Sequence, residues 1–137
     1  MPYALILPMA AQVALAASLY VLLTVARAPA VWGIGRHADG SNPWAAVEPR
    51  ISANLSNQFE WPLFFHVGCL ILLQLHATTS AAVVLAWIFV LGRILHSVVQ
   101  IFTANVRLRG TVFTANFLAV LGLWILAVVA AGKAAAS

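Results

Sequence analysis

Apolar segments long enough to cross a membrane dominate the chain, running roughly from Ala4 to Ala26, Phe59 to Ala77, Ala81 to Phe102 and Thr111 to Ala131. At about 1.5 Å of rise per helical residue, each can span roughly 30 Å of hydrocarbon. Hydrophobic residues fill 64% of the 137 positions and charged residues only 7%, a balance no soluble domain of this size keeps in solution. The chain therefore reads as an all-α integral membrane protein. We expect a single four-transmembrane-helix domain over 1–137, with helices roughly at 4–26, 52–77, 81–105 and 111–131. The first segment has no basic n-region and its apolar stretch is too long for a signal peptide, so it reads as a retained helix.

The connections set the orientation. Residues 27–50 contain Pro29, Pro43 and Pro49, with Gly33, Gly35, Gly40 and Ser41 and much of the polar charge, which predicts a loop without regular structure. His76 to Ser80 reads as a tight hairpin turn. Arg27, Arg36, Arg50, Arg107 and Arg109 all fall in or beside two loops, whereas the other side carries Lys133. Loops 27–50 and 103–110 are thus expected in the cytoplasm, with the chain in a bacterial inner membrane. The net charge of +4 follows from this bias, because the basic residues sit at helix ends and form no patch suited to nucleic acid.

Arg93 and His96 interrupt the third apolar run, one helical turn apart. An arginine deep in a bilayer costs about 3 kcal/mol on insertion scales, so it faces a protein interior or a wet cavity. Projection at 100° per residue gives each helix a polar stripe. Arg93, His96, Ser97 and Gln100 share one face, as do Ala53, Asn57, Glu60 and Phe64, with Arg50 and Asn54 beside them. Tyr20, Thr24 and Arg27 align on the first helix, and Arg109, Phe113 and Asn116 on the last. All the stripes lie in the cytoplasmic half. Glu60 and Arg93 have similar depth and are positioned to pair. Isolated amides and hydroxyls serve as interhelical glue at about 0.6 kcal/mol apiece. The convergence of Arg27, Glu60, Arg93, His96 and Arg109 in one half exceeds that need. His66 and His76 read as packing or surface residues and Cys69 as a small hydrophobe. No histidine pair has ligand spacing, so no metal site is expected. With Asp39 alone in a loop, a Ser-His-Asp hydrolase is unsupported.

Several cations, one carboxylate and several amides suit a small ligand bearing both carboxylates and an amine. Arginines clamp carboxylates, Glu60 receives an ammonium, and a thiol beside a guanidinium ionises more readily. Glutathione fits this description, as do other zwitterions.

The segments R-I-S-A-N-L-S-N-Q-F-E-W-P-L-F (Arg50 to Phe64), G-R-I-L-H-S (Gly92 to Ser97) and N-V-R-L-R-G-T-V-F (Asn105 to Phe113) resemble the MAPEG family. These are membrane-associated proteins in eicosanoid and glutathione metabolism, among them microsomal glutathione transferases. The resemblance implies a homotrimer of four-helix subunits that binds glutathione between neighbours on the cytoplasmic side. By position it implies that Arg27, Asn57, Glu60, Arg93 and His96 contact glutathione and that Arg109 stabilises the thiolate. Arg50 and Gln100 join the candidate binding set. The chain departs from the family pattern at Ala53, where an arginine is usual, and at Gln100 and Phe113, where tyrosines occur. Pro62 is expected to free the Gln58 carbonyl and bend the second helix beside Glu60.

The leading expectation is a glutathione-dependent transferase or peroxidase acting on lipophilic electrophiles or hydroperoxides that enter from the bilayer. The alternative is a non-catalytic relative that holds lipid or serves as an accessory subunit. A small four-helix transporter comes third, motivated by the membrane glutamate. Ala10, Ala14 and Ser18 on one face of the first helix permit close helix association.

Overall fold

The computed structural model describes residues 3–136. Among these the chain is all helical: α1 is Ile6–Trp32, α2 Glu48–Ser56, α3 Trp61–Gln74, α4 Ser80–Phe102 and α5 Val106–Ala135. Helices α1, α4 and α5 are each long and apolar enough to cross a membrane. Helix α3 has 14 residues and is therefore about 21 Å long, short of a full span.

The main departure from expectation is the second helix, which is divided where a continuous 52–77 was predicted. Helix α2 begins within the expected loop, at Glu48, and ends at Ser56 with Asn57 as its cap; the backbone has left helical geometry at Glu60, with φ −94° and ψ −96°. Proline chemistry explains the division. Pro62 has no N–H for the Gln58 carbonyl and its ring disfavours helical geometry before it, yet it suits the first turn of a new helix. The expected bend is thus a complete break.

Other helix ends also differ from expectation. Helix α1 continues through Pro29 to Trp32, where Gly33 takes a left-handed conformation (φ 72°) and its N–H bonds the Pro29 carbonyl. Arg36 folds back to donate to the Pro29 and Ala30 carbonyls at 2.6 and 3.3 Å, satisfying groups a helix end leaves open. In the loop that follows, the Ser41 hydroxyl and N–H hold the Asp39 carboxyl below its usual pKa. Helix α4 stops at Phe102, short of the expected 105, because Thr103 is extended. Helix α5 starts at Val106 under an Asn105 cap, earlier than the expected 111.

Two apolar clusters hold the bundle. Phe65, Cys69, Leu72, Phe89, Val120 and Leu123 pack α3, α4 and α5 together. Leu19, Leu23, Ile51, Leu55 and Ile101 join α1 to α2 and the end of α4. Between the α4 and α5 backbones, Gly92 lies directly against the Asn116 side chain, whose oxygen occupies the space a β-carbon would take. Only glycine permits that approach.

Candidate functional site

Helices α2, α4 and α5 leave a groove at the end of the bundle that carries Arg50 and Arg109. One cavity, of about 470 Å³, is lined by Ala53, Asn57, His96, Gln100, Arg109 and Phe113. A second, of about 300 Å³, adds Pro49, Arg50, Thr103 and Asn105. Both are lined by Ala53, Gln100, Val106 and Arg109, so they are two lobes of one groove. The lining includes two arginines and no carboxylate, which favours an anionic occupant.

The broken helix presents two faces to two environments. Ile51, Asn54, Leu55 and Gln58 are buried, at the i, i+3, i+4, i+7 spacing of an inward face. Ala53 and Asn57 consequently turn toward the groove. Asn54 Nδ2 and Asn57 Nδ2 both donate to Gln100 Oε1, at 2.9 and 3.2 Å. With its oxygen engaged inward, Gln100 retains its NH2 as a donor for a ligand. His96 stands beside Phe113 with ring centroids 6.2 Å apart, and its buried Nδ1 has no hydrogen-bond partner.

Beneath the groove lies a buried network centred on Gln58. Gln58 Oε1 accepts from Gln12 Nε2 at 2.9 Å and from Arg93 Nε at 3.4 Å. Its Nε2 donates to the Asn54 carbonyl and side-chain oxygen, each at 3.2 Å, and to Ser97 Oγ at 3.4 Å. Arg93, only 1% exposed, also donates to the Asn57 carbonyl at 3.1 Å. A guanidinium thereby serves the backbone at the helix break, where carbonyls lose their helical partners. It lies roughly 14 Å inward from the Phe102 end of α4 at normal helical rise.

The residues expected in one site divide into groups. Asn57, His96, Gln100 and Arg109 meet at the larger lobe, and Arg50 lines the smaller. Arg93 lines neither lobe. Glu60 is exposed at the break and forms no ion pair with Arg93; the ion pair found among the described residues joins Arg27 to Glu48 at 2.7 Å. Arg27, which also donates to Ser52 at 3.2 Å, is thus engaged by α2 outside the groove. Glu60 lies near enough to attract the Arg93 guanidinium electrostatically, but in place of a direct ion pair Arg93 bonds Gln58 and the Asn57 carbonyl.

Gln12 and Gln58 went unrecognised as polar partners from the sequence. Gln12 carried a signal, being an amide inside the first apolar segment. Gln58 lies one residue beyond the Ala53–Asn57 stripe, on the face that turns inward.

Neither the curated proteins nor the solved structures compared with this chain give a match. The family model matches residues 5–129. Together with the membrane-spanning helices, that match makes this chain an integral membrane protein of the MAPEG family, the family of glutathione and eicosanoid metabolism.

Proposed function

We propose that the groove between α2, α4 and α5 binds glutathione and that the protein is a glutathione-dependent transferase or peroxidase for lipophilic electrophiles or hydroperoxides. The observation that carries this reading is the convergence of Arg109, Gln100, Asn57 and His96 on one lobe, with Arg50 on the adjoining one. The donor set fits the ligand. Arg50 is placed to clamp a carboxylate, the Gln100 NH2 to meet a peptide carbonyl, and the His96 Nδ1 to take a hydrogen bond. Arg109 supplies a cation at the groove wall that favours a thiolate over a thiol. Glutathione, when bound, supplies the nucleophilic sulfur; the chain's own residues hold it, orient it and stabilise its charge.

The broken α2–α3 pair serves in this reading as the fourth membrane crossing of a single domain over 1–137. The subunits assemble as a homotrimer in a bacterial inner membrane, with loops 27–50 and 103–110 cytoplasmic. In such an assembly Arg27 and Glu60, which face away from the groove within one chain, become available to a neighbour's groove. Isothermal titration of the purified protein with glutathione, followed by a conjugation assay with an aryl halide electrophile, tests the proposal. Absence of both binding and turnover sinks it.

A second reading, a non-catalytic member that holds lipid or joins a larger assembly, draws on Ala53 and Phe113. At these groove positions the chain offers a methyl and a phenyl where an arginine and a tyrosine hydroxyl serve related enzymes. Co-purification with a stoichiometric partner and a melting temperature unmoved by glutathione distinguish it.

A further inference from the structure

A second cavity, of about 340 Å³, lies between α1 and α3 and shares no lining residue with the arginine groove. Its walls are mostly apolar, built from Val13, Ala16, Ala17, Phe59 and Leu63, while Gln12, Gln58 and His66 contribute polar groups to its lining. Tyr20, at one end, is about 10 Å from Arg27 along α1, and Gln12 is about 22 Å from it. The cavity therefore lies at hydrocarbon depth, on the outer face of the chain.

The polar part of this cavity is incomplete in a defined way. A guanidinium only donates, so Arg93 requires Gln58 to turn its oxygen inward. Gln12 must then present its NH2 to that same oxygen, which leaves Gln12 Oε1 at the far end of the chain of amides. Gln12 is only 2% exposed and its Oε1 has no hydrogen-bond partner. Buried amide oxygens are rarely left this way. The unmet atom is an acceptor, and its polarity is set by the arginine two hydrogen bonds away.

We propose that this cavity binds a lipid-phase molecule with an extended apolar body and a hydrogen-bond donor at its head, of the long-chain alcohol class. The apolar walls take the chain, and the hydroxyl donates to Gln12 Oε1. A bare acyl chain, or the apolar face of a second copy, fills the space but leaves that oxygen unmet. The volume lies within the ordinary range for small-molecule sites.

The test uses the full-length protein in lipid nanodiscs, a diazirine-bearing hexadecanol as photolabel, and unlabelled hexadecanol or hexadecane as competitors. Label is expected on residues 13–20 and 59–66, with hexadecanol displacing it about tenfold better than hexadecane, the ratio one buried hydrogen bond supplies. Gln12→Leu is expected to abolish that preference while retaining the label, and Ala16→Trp to abolish the label. Equal competition by alcohol and alkane on the native protein overturns the proposal, whether or not either variant folds. So does label scattered over all lipid-facing helices. Absence of label, with disulfide cross-linking between copies through Ala17→Cys, overturns it in favour of a second copy as the occupant.

Discussion

Replacing Gln58 with leucine removes the amide that α1, α2 and α4 share, and its cost is calculable from the partners left behind. Asn54 Nδ2 keeps its bond to Gln100, and Ser97 Oγ still donates to the Arg93 carbonyl. The loss falls on Gln12 Nε2 and Arg93 Nε, each buried and each deprived of its side-chain acceptor. At about 1 to 3 kcal/mol per unsatisfied neutral group, and more for a charged one, the expected destabilisation is about 3 to 5 kcal/mol. The average membrane hydrogen bond, at about 0.6 kcal/mol, predicts only about 1 kcal/mol for the same two bonds. That average includes sites where the unfolded chain finds substitute partners. A guanidinium 1% exposed at this depth has few. Gln58→Glu keeps the acceptor oxygen and adds a countercharge for Arg93 but loses the NH2 that donates to Asn54, so it should recover about half of the loss. Equilibrium unfolding by denaturing detergent, followed by tryptophan fluorescence, measures both variants. A Gln58→Leu loss below about 1 kcal/mol, or a glutamate as damaging as the leucine, refutes the central role given to this amide.

The remaining predictions concern packing and binding. Gly92→Ala should destabilise by about 1 to 3 kcal/mol, because the new methyl overlaps the Asn116 side chain. Asn116→Ala in that background should restore most of it, since both polar atoms of Asn116 are buried without partners; detergent unfolding curves of the single and double variants decide. Arg109→Ala should weaken glutathione binding at least tenfold by calorimetry. Arg27→Ala should alter stability by only about 0.2 to 1 kcal/mol, because its ion pair with Glu48 is half exposed. Ala53→Arg places a guanidinium where the two lobes of the groove meet, and should raise glutathione affinity about tenfold to a hundredfold if a carboxylate lies there. Unchanged affinity places that carboxylate elsewhere.

Local chemistry made much of the architecture legible. Apolar runs long enough for a membrane, prolines and glycines between them, and the bias of arginines toward one end are properties of neighbouring residues, and they identified the apolar helices and the polar end. Helical periodicity likewise brought Asn57, His96, Gln100 and Arg109 toward a common groove, since the spacing within each helix sets its face. Their meeting across three helices is a tertiary fact.

Periodicity failed where its premise of a continuous helix failed. The Pro62 break interrupts the helical register at Glu60, and it exposes backbone carbonyls that Arg93 then serves from α4 in place of a direct ion pair with Glu60. Arg27 depends on Glu48, which became available only because α2 begins inside the expected loop. The sequence by itself determined a helical membrane protein with a polar end, because hydrophobicity and helix propensity act over one or two turns. Only the tertiary structure decided which polar groups line the groove and which are consumed inside. That choice rests on partners dozens of positions apart, Gln12 and Arg93 meeting at Gln58, and on the rule that every buried donor seeks an acceptor.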